Sequence, residues 1–459
     1  MGFLGREQEL QRLEAFYRSA GQSVALVYGR RRVGKSELIK QSQGKTASPF
    51  IYFECKQTTE QNNLGTLAAL VSEVLGFPQL AFTSIEELLG FVFTQAKERS
   101  LVLVLDEYPY LRDAIPGIDS ILQTIIDAHA ATSRLKLILC GSFITVMKSL
   151  LEEENPLYGR VDLTINLHPM DYRDASLFYP SFSPEDRIRL FSVFGGIPYY
   201  NRLIDANRSV RQNIIDLIAS PGARLETEIP MYLASQLKKI ANANEVLESM
   251  ARGAVHFNDI LSQSHVSSSP ALADTLSKLI GMELIVKQAP INDVDNKKKT
   301  RYLIDDNMAL FYYRYIFRNS SQMAMMAPEA FFDRFIAKDF SEVHVPERFE
   351  RICAQYLVRQ NRAGTLAEPF DIIGRYWYDV PAEHRNGEFD IVTSGENGYV
   401  FYEVKFRSEP LSRAKVVEEI AQVKASGLDC RAFGFFSRSG FEDFDEPAIM
   451  KFTPKDLYA

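Results

Sequence analysis

The sequence predicts an α/β chain: a parallel sheet built around a phosphate-binding loop, then a helical region, a small helix-and-hairpin module and a second, C-terminal α/β domain. Three observations predict it. A loop that fits G-x-x-x-x-G-K-[ST] at every fixed position, Gly29-Arg30-Arg31-Arg32-Val33-Gly34-Lys35-Ser36, sits between an apolar run, Ser23 to Tyr28, and a helical pattern, Ser36 to Gln43. An unbroken apolar run, Leu101 to Leu105, ends in Asp106-Glu107, as expected of a strand buried on both faces of a parallel sheet. Near the other end, Gly387 to Val392 and Tyr399 to Phe406 flank a strong turn signal, Ser394-Gly395-Glu396-Asn397-Gly398.

At 459 residues the chain exceeds one ordinary core, so several domains are expected. Apolar content of 46% and charged content of 24% are those of a globular protein. A net charge of −7 speaks against a chain that coats nucleic acid along its length, and leaves room for a local basic patch. Cys55, Cys140, Cys353 and Cys430 lie far apart without zinc spacing. Cys55 and Cys140 sit in strand-like runs and read as buried free thiols, which suits a reducing cytoplasm. The N-terminus has no basic-then-apolar signal pattern, and no apolar run reaches the roughly eighteen residues of a membrane span. A cytoplasmic protein without a membrane partner is the expectation.

The glycines of the loop let it wrap closely enough for backbone N–H groups to cradle phosphates, and the next helix aims its positive end at them. Lys35 would reach the β- and γ-phosphates and Ser36 would hold Mg²⁺. Asp106 would join the Mg²⁺ shell, and Glu107 would polarise a water for attack on the γ-phosphate. Those roles make this region a nucleotide-hydrolysis core. Strands are expected at 23–28, 49–55, 101–105, 135–140 and 161–166, alternating with helical patterns. One strand falls between the loop and the Asp-Glu strand, an insertion similar to the AAA+-like branch of P-loop ATPases. That likeness implies a sheet in which a sensor strand, Leu135 to Cys140, separates the loop strand from the Asp-Glu strand. Ser142 would then hydrogen-bond the γ-phosphate or the attacking water. Arg160 precedes the strand 161–166, where such proteins offer an arginine finger to a neighbour's γ-phosphate, so a homo-oligomer is a possible partner.

Residues 1–170 are thus assigned to the phosphate-loop domain and 171–240 to a helical lid. In the lid, Gly195-Gly196-Ile197-Pro198 breaks a helix, and Pro198 would wall the base pocket. Residues 241–318 read as a winged helix-turn-helix. Helical patterns at Glu245–Arg252 and Asn258–Gln263 precede Ser267-Ser268-Ser269-Pro270, a cap for a third helix, 271–280. Strand-like pieces 284–288 and 300–304 follow, joined by a loop ending Lys297-Lys298-Lys299. The third helix carries one lysine, Lys278, and one acid, Asp274, a poor face for phosphates, while the wing is more basic. DNA binding and a structural or protein-contacting role both remain open for it. Residues 319–345, Met-rich and aromatic, read as a linker that packs.

Residues 346–459 begin with a helix, Pro346 to Arg359, and continue into strands. Alternation puts Glu403 and Lys405 on one face and Tyr402, Val404 and Phe406 on the other. With the turn near Glu396, Asp390 lies across from residues 402–403. Asp390 and Glu403 would ligate a Mg²⁺, Lys405 would orient or activate a water, and Glu350 on the preceding helix would add an acid. A surface salt-bridge cluster on an amphipathic hairpin is the alternative. The spacing resembles the PD-(D/E)xK nuclease core, which implies a restriction-endonuclease-like α/β domain.

The chain as a whole resembles the archaeal-type ATPase family, P-loop proteins related to the STAND and AAA+ classes. The likeness rests on Phe3-Leu4-Gly5-Arg6-Glu7, the arginine-rich loop from Gly29 to Ser36, Asp106-Glu107-Tyr108-Pro109 and Gly195-Gly196-Ile197-Pro198. Many members end in a domain of unknown function resembling the PD-(D/E)xK fold, matched here by Gly374-Arg375-Tyr376-Trp377 and the two hairpin strands. The resemblance implies ATP as the ligand, with Gly5 and Arg6 lying against it beside Gly29, Arg30, Arg31, Arg32, Val33, Gly34, Lys35 and Ser36. One departure is Phe143, where relatives often carry a second serine. The expected function is an ATP-hydrolysing switch coupled to a nuclease-like domain that cuts or grips nucleic acid. The alternative is a nucleotide-dependent regulator or signalling ATPase that binds DNA or protein without cleavage.

Overall fold

Alternation of wholly apolar strands with amphipathic helices over the first part of the chain produces a parallel sheet covered on both faces. The structure, a computed structural model, describes residues 2–237, 239–380, 385–427, 430–444 and 449–459. It divides into two units, Met1–Pro169 and Met170–Ala459.

In the first unit β1 (Ser23–Tyr28), β2 (Phe50–Glu54), β3 (Leu101–Asp106), β4 (Leu135–Gly141) and β5 (Leu163–Asn166) are all parallel, in the order β2-β3-β4-β1-β5. Every residue of β1, β3 and β4 is buried, which is why these strands read as continuous apolar runs rather than alternating ones. β4 lies between β1 and β3, the sensor-strand arrangement expected above. The register Tyr28↔Gly141 and Leu105↔Leu139 brings the C-terminal ends of all three strands to one edge of the sheet. The segments after them, the Gly29–Ser36 loop, Glu107 and Ser142, therefore share that edge.

The second unit opens with helices only, from Tyr172–Ser176 to Glu228–Gln236. Helices Ala241–Ala251, Phe257–Gln263 and Ser269–Gly281 follow, then an antiparallel pair, β6 (Ile285–Gln288) and β7 (Arg301–Ile304). The Ser268 hydroxyl accepts from the Ala271 N–H, so the serine run does cap the third helix. Residues 319–345 are mostly helical, and Phe331, Phe332 and Phe340 are buried there. The helix Val345–Arg362 then packs on a five-stranded sheet. Its strands are β8 (Ile372–Val380), β9 (Arg385–Gly395), β10 (Gly398–Lys405), β11 (Cys430–Ser437) and β12 (Ile449–Phe452), in the order β12-β11-β10-β9-β8. β8, β9 and β10 are antiparallel neighbours, whereas β10, β11 and β12 run parallel, with helix Arg413–Ala425 in the β10–β11 crossover. Phe389, Val392, Phe401, Val416, Val423 and Phe435 form this sheet's core. No helix of the described residues is long and apolar enough to cross a membrane. Cys55, Cys140 and Cys353 are buried free thiols, and Cys430 is a half-buried one.

Candidate functional site

The phosphate loop is shaped by two glycines that no other residue replaces. A Cβ on Gly29 would lie 2.3 Å from the Leu167 carbonyl oxygen, and Gly34 has φ +101° at the start of helix Lys35–Ser42. Lys35 is 5% exposed, and its ammonium donates to the Gly29 carbonyl (3.0 Å), the Arg30 carbonyl (3.2 Å) and the Ser142 hydroxyl (3.2 Å). The Ser36 hydroxyl donates to Asp106 Oδ2 at 2.7 Å, and the Tyr52 hydroxyl donates to the same oxygen. Burial alone would raise the Asp106 carboxyl. Donors on Cys140, Tyr52, Ser36 and the Glu107 N–H more than reverse this and hold it below the usual carboxylate range. An ionised carboxylate beside a serine hydroxyl is a hard-oxygen pair suited to a Mg²⁺ shell.

Glu107 adopts φ +51°, an uncommon backbone for a non-glycine residue, and its carboxylate takes both the Ser142 N–H (3.2 Å) and the Ser142 hydroxyl. Ser142 thus bridges Lys35 and Glu107. Its hydroxyl donates to the Glu107 carboxylate and accepts from the Lys35 ammonium, so Ser142, lysine and acid form one connected line at the sheet edge. Of the other loop residues, Arg30 and Val33 are buried, Arg31 is exposed, and Arg32 is half-buried with φ +69°. Gly5 and Arg6 both have positive φ, and Arg6 is anchored to the His168 carbonyl (2.6 Å) and to Glu9 (3.2 Å).

Arg160 lies elsewhere. The parallel register Ala25↔Leu163 puts it before β5, at the end of the sheet opposite Lys35. Its fork is held by both Asp127 oxygens, at 2.8 and 2.7 Å, and by the Pro156 carbonyl at 3.0 Å. Pro198 opens the short helix Pro198–Asn201 in the second unit, next to Gly196, whose carbonyl accepts from the Met170 N–H at 2.8 Å.

In the second unit the β9–β10 hairpin turns at Glu396-Asn397, and its pairing runs as far as Tyr402↔Ile391, with Glu403 and Asp390 the adjoining residues of the two strands. Lys405 contacts Glu403 and lies 3.2 Å from Glu419 of helix Arg413–Ala425. Burial would lower the Lys405 ammonium, but the two carboxylates outweigh it and raise it. Glu350, on helix Val345–Arg362, is pushed up to about 8, first by burial and then by the charges of Asp390, Glu347 and Glu403 against the relief of Arg375. Glu403 is also raised, chiefly by burial. Asp390, Glu403, Glu350 and Lys405 therefore feel one another's charges. Among the described residues no three His, Cys, Asp or Glu side chains are gathered into a ready metal cluster. Arg375 and Lys405 stand between the carboxylates as counter-charges. Carboxylate oxygens are the hard donors that a divalent cation such as Mg²⁺ takes, and Asp390 and Glu403 would be the ones to supply them.

Three participants carry no signal in the sequence. Tyr52 meets Asp106 only because β2 pairs with β3. Glu388 meets Arg375 across the β8–β9 ladder and Arg301 from β7 of a separate two-stranded sheet, and Glu419 reaches Lys405 from a helix beyond the hairpin.

Residues 3–201 match the profile of a family described as an ATPase domain predominantly from Archaea, and residues 312–420 match one described as archaeal and bacterial proteins of unknown function. An uncharacterized protein of Methanocaldococcus jannaschii is 28% identical over 413 residues, covering 88% of each chain. Among solved structures, a Walker-type ATPase of Pyrococcus abyssi is 20% identical with a TM-score of 0.53, covering 68% of this chain and 96% of its own. The ORC2 protein of Aeropyrum pernix is 13% identical with a TM-score of 0.45, over 69% of this chain and 94% of its own. With the loop, Asp106 and Glu107 intact at one sheet edge, the matched N-terminal segment is an ATP-binding P-loop ATPase domain.

Proposed function

We propose that the protein is an ATP-driven switch whose second unit acts on nucleic acid through a divalent-metal site at Asp390 and Glu403. In the first unit Ser36 and Asp106 would hold Mg²⁺, Lys35 would leave its carbonyl partners for the stronger phosphate acceptors, and Glu107 would orient the attacking water. Ser142 keeps Glu107 aimed at that edge. In the second unit Asp390, Glu403 and Glu350 would hold Mg²⁺, and Lys405 would position the water for phosphodiester hydrolysis. A metal there supplies charge stabilisation at the scissile phosphate and lowers the pKa of its water.

The observation that carries this reading is the contact of Lys405 with Glu403 on β10, with Asp390 on β9 and Glu350 on a helix far away in sequence within reach of the same charges. The three helices with β6 and β7 are read as a winged helix-turn-helix. Lys278 on its third helix pairs with Asp274 at 2.6 Å, which leaves that face with little charge for phosphates. Arg407 and Arg413, exposed beyond the hairpin, offer the C-terminal domain a basic approach. A second reading, nucleotide-dependent binding of DNA or protein without cleavage, draws on the ion pairs that occupy Lys405 on both sides.

The test is incubation of single- and double-stranded DNA and RNA with Mg²⁺ or Mn²⁺, with and without ATP, comparing wild type with Asp390→Ala. Metal-dependent cleavage abolished by the substitution is the expected result. Binding without cleavage in both proteins selects the second reading.

A further inference from the structure

Beside the carboxylates lies a pair of arginines that neither reading uses. Arg375, at a register shift in the β8–β9 pairing, points its Nε at Asp390 Oδ1 (3.8 Å) and its Nη1 at Glu388 Oε2 (3.6 Å). Arg301, from β7, reaches the other oxygen of Glu388 at 2.8 Å. Both distances from Arg375 are beyond hydrogen-bond length. Arg375 Nη1 and Arg301 Nε are buried and donate to nothing. The Arg375 side chain is 22% exposed and that of Asp390 50%, so this pair stands at the rim of the carboxylate cluster, with Asp390 the more open of the two. A guanidinium that offers charge to two carboxylates without directional bonds is a counter-ion with unused donors. Planar forks of this kind match phosphate oxygens.

We propose that Arg375, steadied by Glu388, which Arg301 also holds, is the phosphate-binding residue of this site: it neutralises Asp390 when no metal is bound and turns to a nucleic-acid phosphate once a divalent cation takes Asp390. The inference rests on the metal-site reading above. Metal and guanidinium compete for the same carboxylate, so metal binding and phosphate binding become linked through one side chain. The carboxylates repel a bare polyanion, and Arg375 is available to it only when the cation is in place. Arg301 carries the same linkage to the β6–β7 hairpin, whose loop is fastened to β8 by Ile291 N–H to the Arg375 carbonyl (2.7 Å) and by Asn292 to both main-chain groups of Trp377 (2.6 and 3.0 Å).

The experiment uses the full-length protein, wild type, Arg375→Ala and Arg375→Lys. Mn²⁺ binding is followed by electron paramagnetic resonance, and anisotropy of fluorescein-labelled DNA is read in Ca²⁺. Removing a competing, half-exposed charge should tighten Mn²⁺ binding by about two- to fivefold in Arg375→Ala. Losing a charge-assisted phosphate contact should weaken DNA binding in Ca²⁺ about tenfold. Arg375→Lys, a point charge without the fork, should fall between on DNA and stay near wild type on Mn²⁺, and it serves alone if the alanine protein does not fold. Equal Mn²⁺ affinity with unchanged DNA binding overturns this inference and leaves the metal site standing. Parallel loss of both affinities marks Arg375 as merely structural and also overturns it. No Mn²⁺ bound by wild type or either variant removes the metal site itself, and this inference with it.

Discussion

Ser142 joins two residues whose removal should have opposite signatures. Lys35 supplies a full charge to the phosphates, so Lys35→Ala should lose tight ATP binding. Glu107→Gln keeps every phosphate contact and loses the group that polarises water, so it should bind ATP normally and turn over about 10²- to 10⁴-fold more slowly. Affinity for a fluorescent ATP analogue and phosphate release separate the two, and an unchanged affinity in Lys35→Ala would sink the loop assignment. Lys35 was legible in the sequence because the loop, its strand and its helix are contiguous, and Glu107 because it closes an unbroken apolar run, Leu101 to Leu105. Tyr52 was not, since a tyrosine in an apolar strand says nothing about which carboxylate its neighbour strand will carry. A second residue, His344, is legible only in three dimensions. It is fully buried, its Nε2 donates to the Ser192 carbonyl at 2.9 Å, and its Nδ1 accepts from Arg314 at 3.3 Å. Burial, then the charges of Arg314 and Arg348, push its pKa down to about 3 from 6.5, against small opposing effects of the Ser192 bond and Glu347. Glu347 itself is held at about 2, where burial would raise it but Arg348 and Arg314 win. The unfolded chain takes up a proton on this histidine below pH 6.5 and the folded one does not until about 3, so the stabilisation is present above 6.5 and drains away between those values. The slope is at most about 1.4 kcal/mol per pH unit for one proton. His344→Gln should flatten the fall in urea-unfolding stability between pH 6.5 and 4.5, a window above the range in which Glu347 contributes. A slope identical to wild type contradicts the assignment.

Among elements, the buried strands of the first sheet were the most readable, because burial on both faces leaves no polar residue to blur them. The β9–β10 hairpin was readable from its turn, and its ladder runs to Tyr402↔Ile391, the pair next to Glu403 and Asp390. The shift in the β8–β9 pairing was not readable, since a bulge changes which residues oppose each other without changing composition. It is this shift that brings Arg375 to Asp390. β5 supplies the prediction at this scale. The strand is parallel to β1, so Arg160 before it lies at the sheet end away from its own phosphate loop, and a part in catalysis would require a neighbouring subunit. Arg160 is already paired with Asp127, an exposed acid, and that bond is weak enough to be exchanged for a phosphate. Acting as a finger in trans, Arg160→Ala should lower kcat about 10³-fold, and wild-type turnover per chain should rise with protein concentration. Turnover independent of concentration, with a fully active variant, would leave Arg160 as the partner of Asp127 and nothing more.

At the scale of the whole molecule the ATP site belongs to the first unit and the carboxylate site to the second. A switch requires that nucleotide and nucleic acid each favour the same state of the chain, and linkage then makes the effect reciprocal: whatever factor ATP adds to nucleic-acid affinity, nucleic acid must add to ATP affinity. The net charge of −7 sharpens the requirement, because a polyanion gains little from this chain unless a local basic face is presented to it. Glu107→Gln is the protein in which to measure the coupling, since it holds ATP without consuming it and keeps both equilibria well defined. DNA binding by this variant in Ca²⁺ should tighten when ATP is added, and ATP binding should tighten by an equal factor when DNA is added. Lys35→Ala should bind DNA as the nucleotide-free protein does and ignore ATP, while Asp390→Ala should hydrolyse ATP at the basal rate of wild type. If ATP leaves the DNA affinity of Glu107→Gln unchanged, the two units work independently and the switch is wrong, even where both sites prove active on their own.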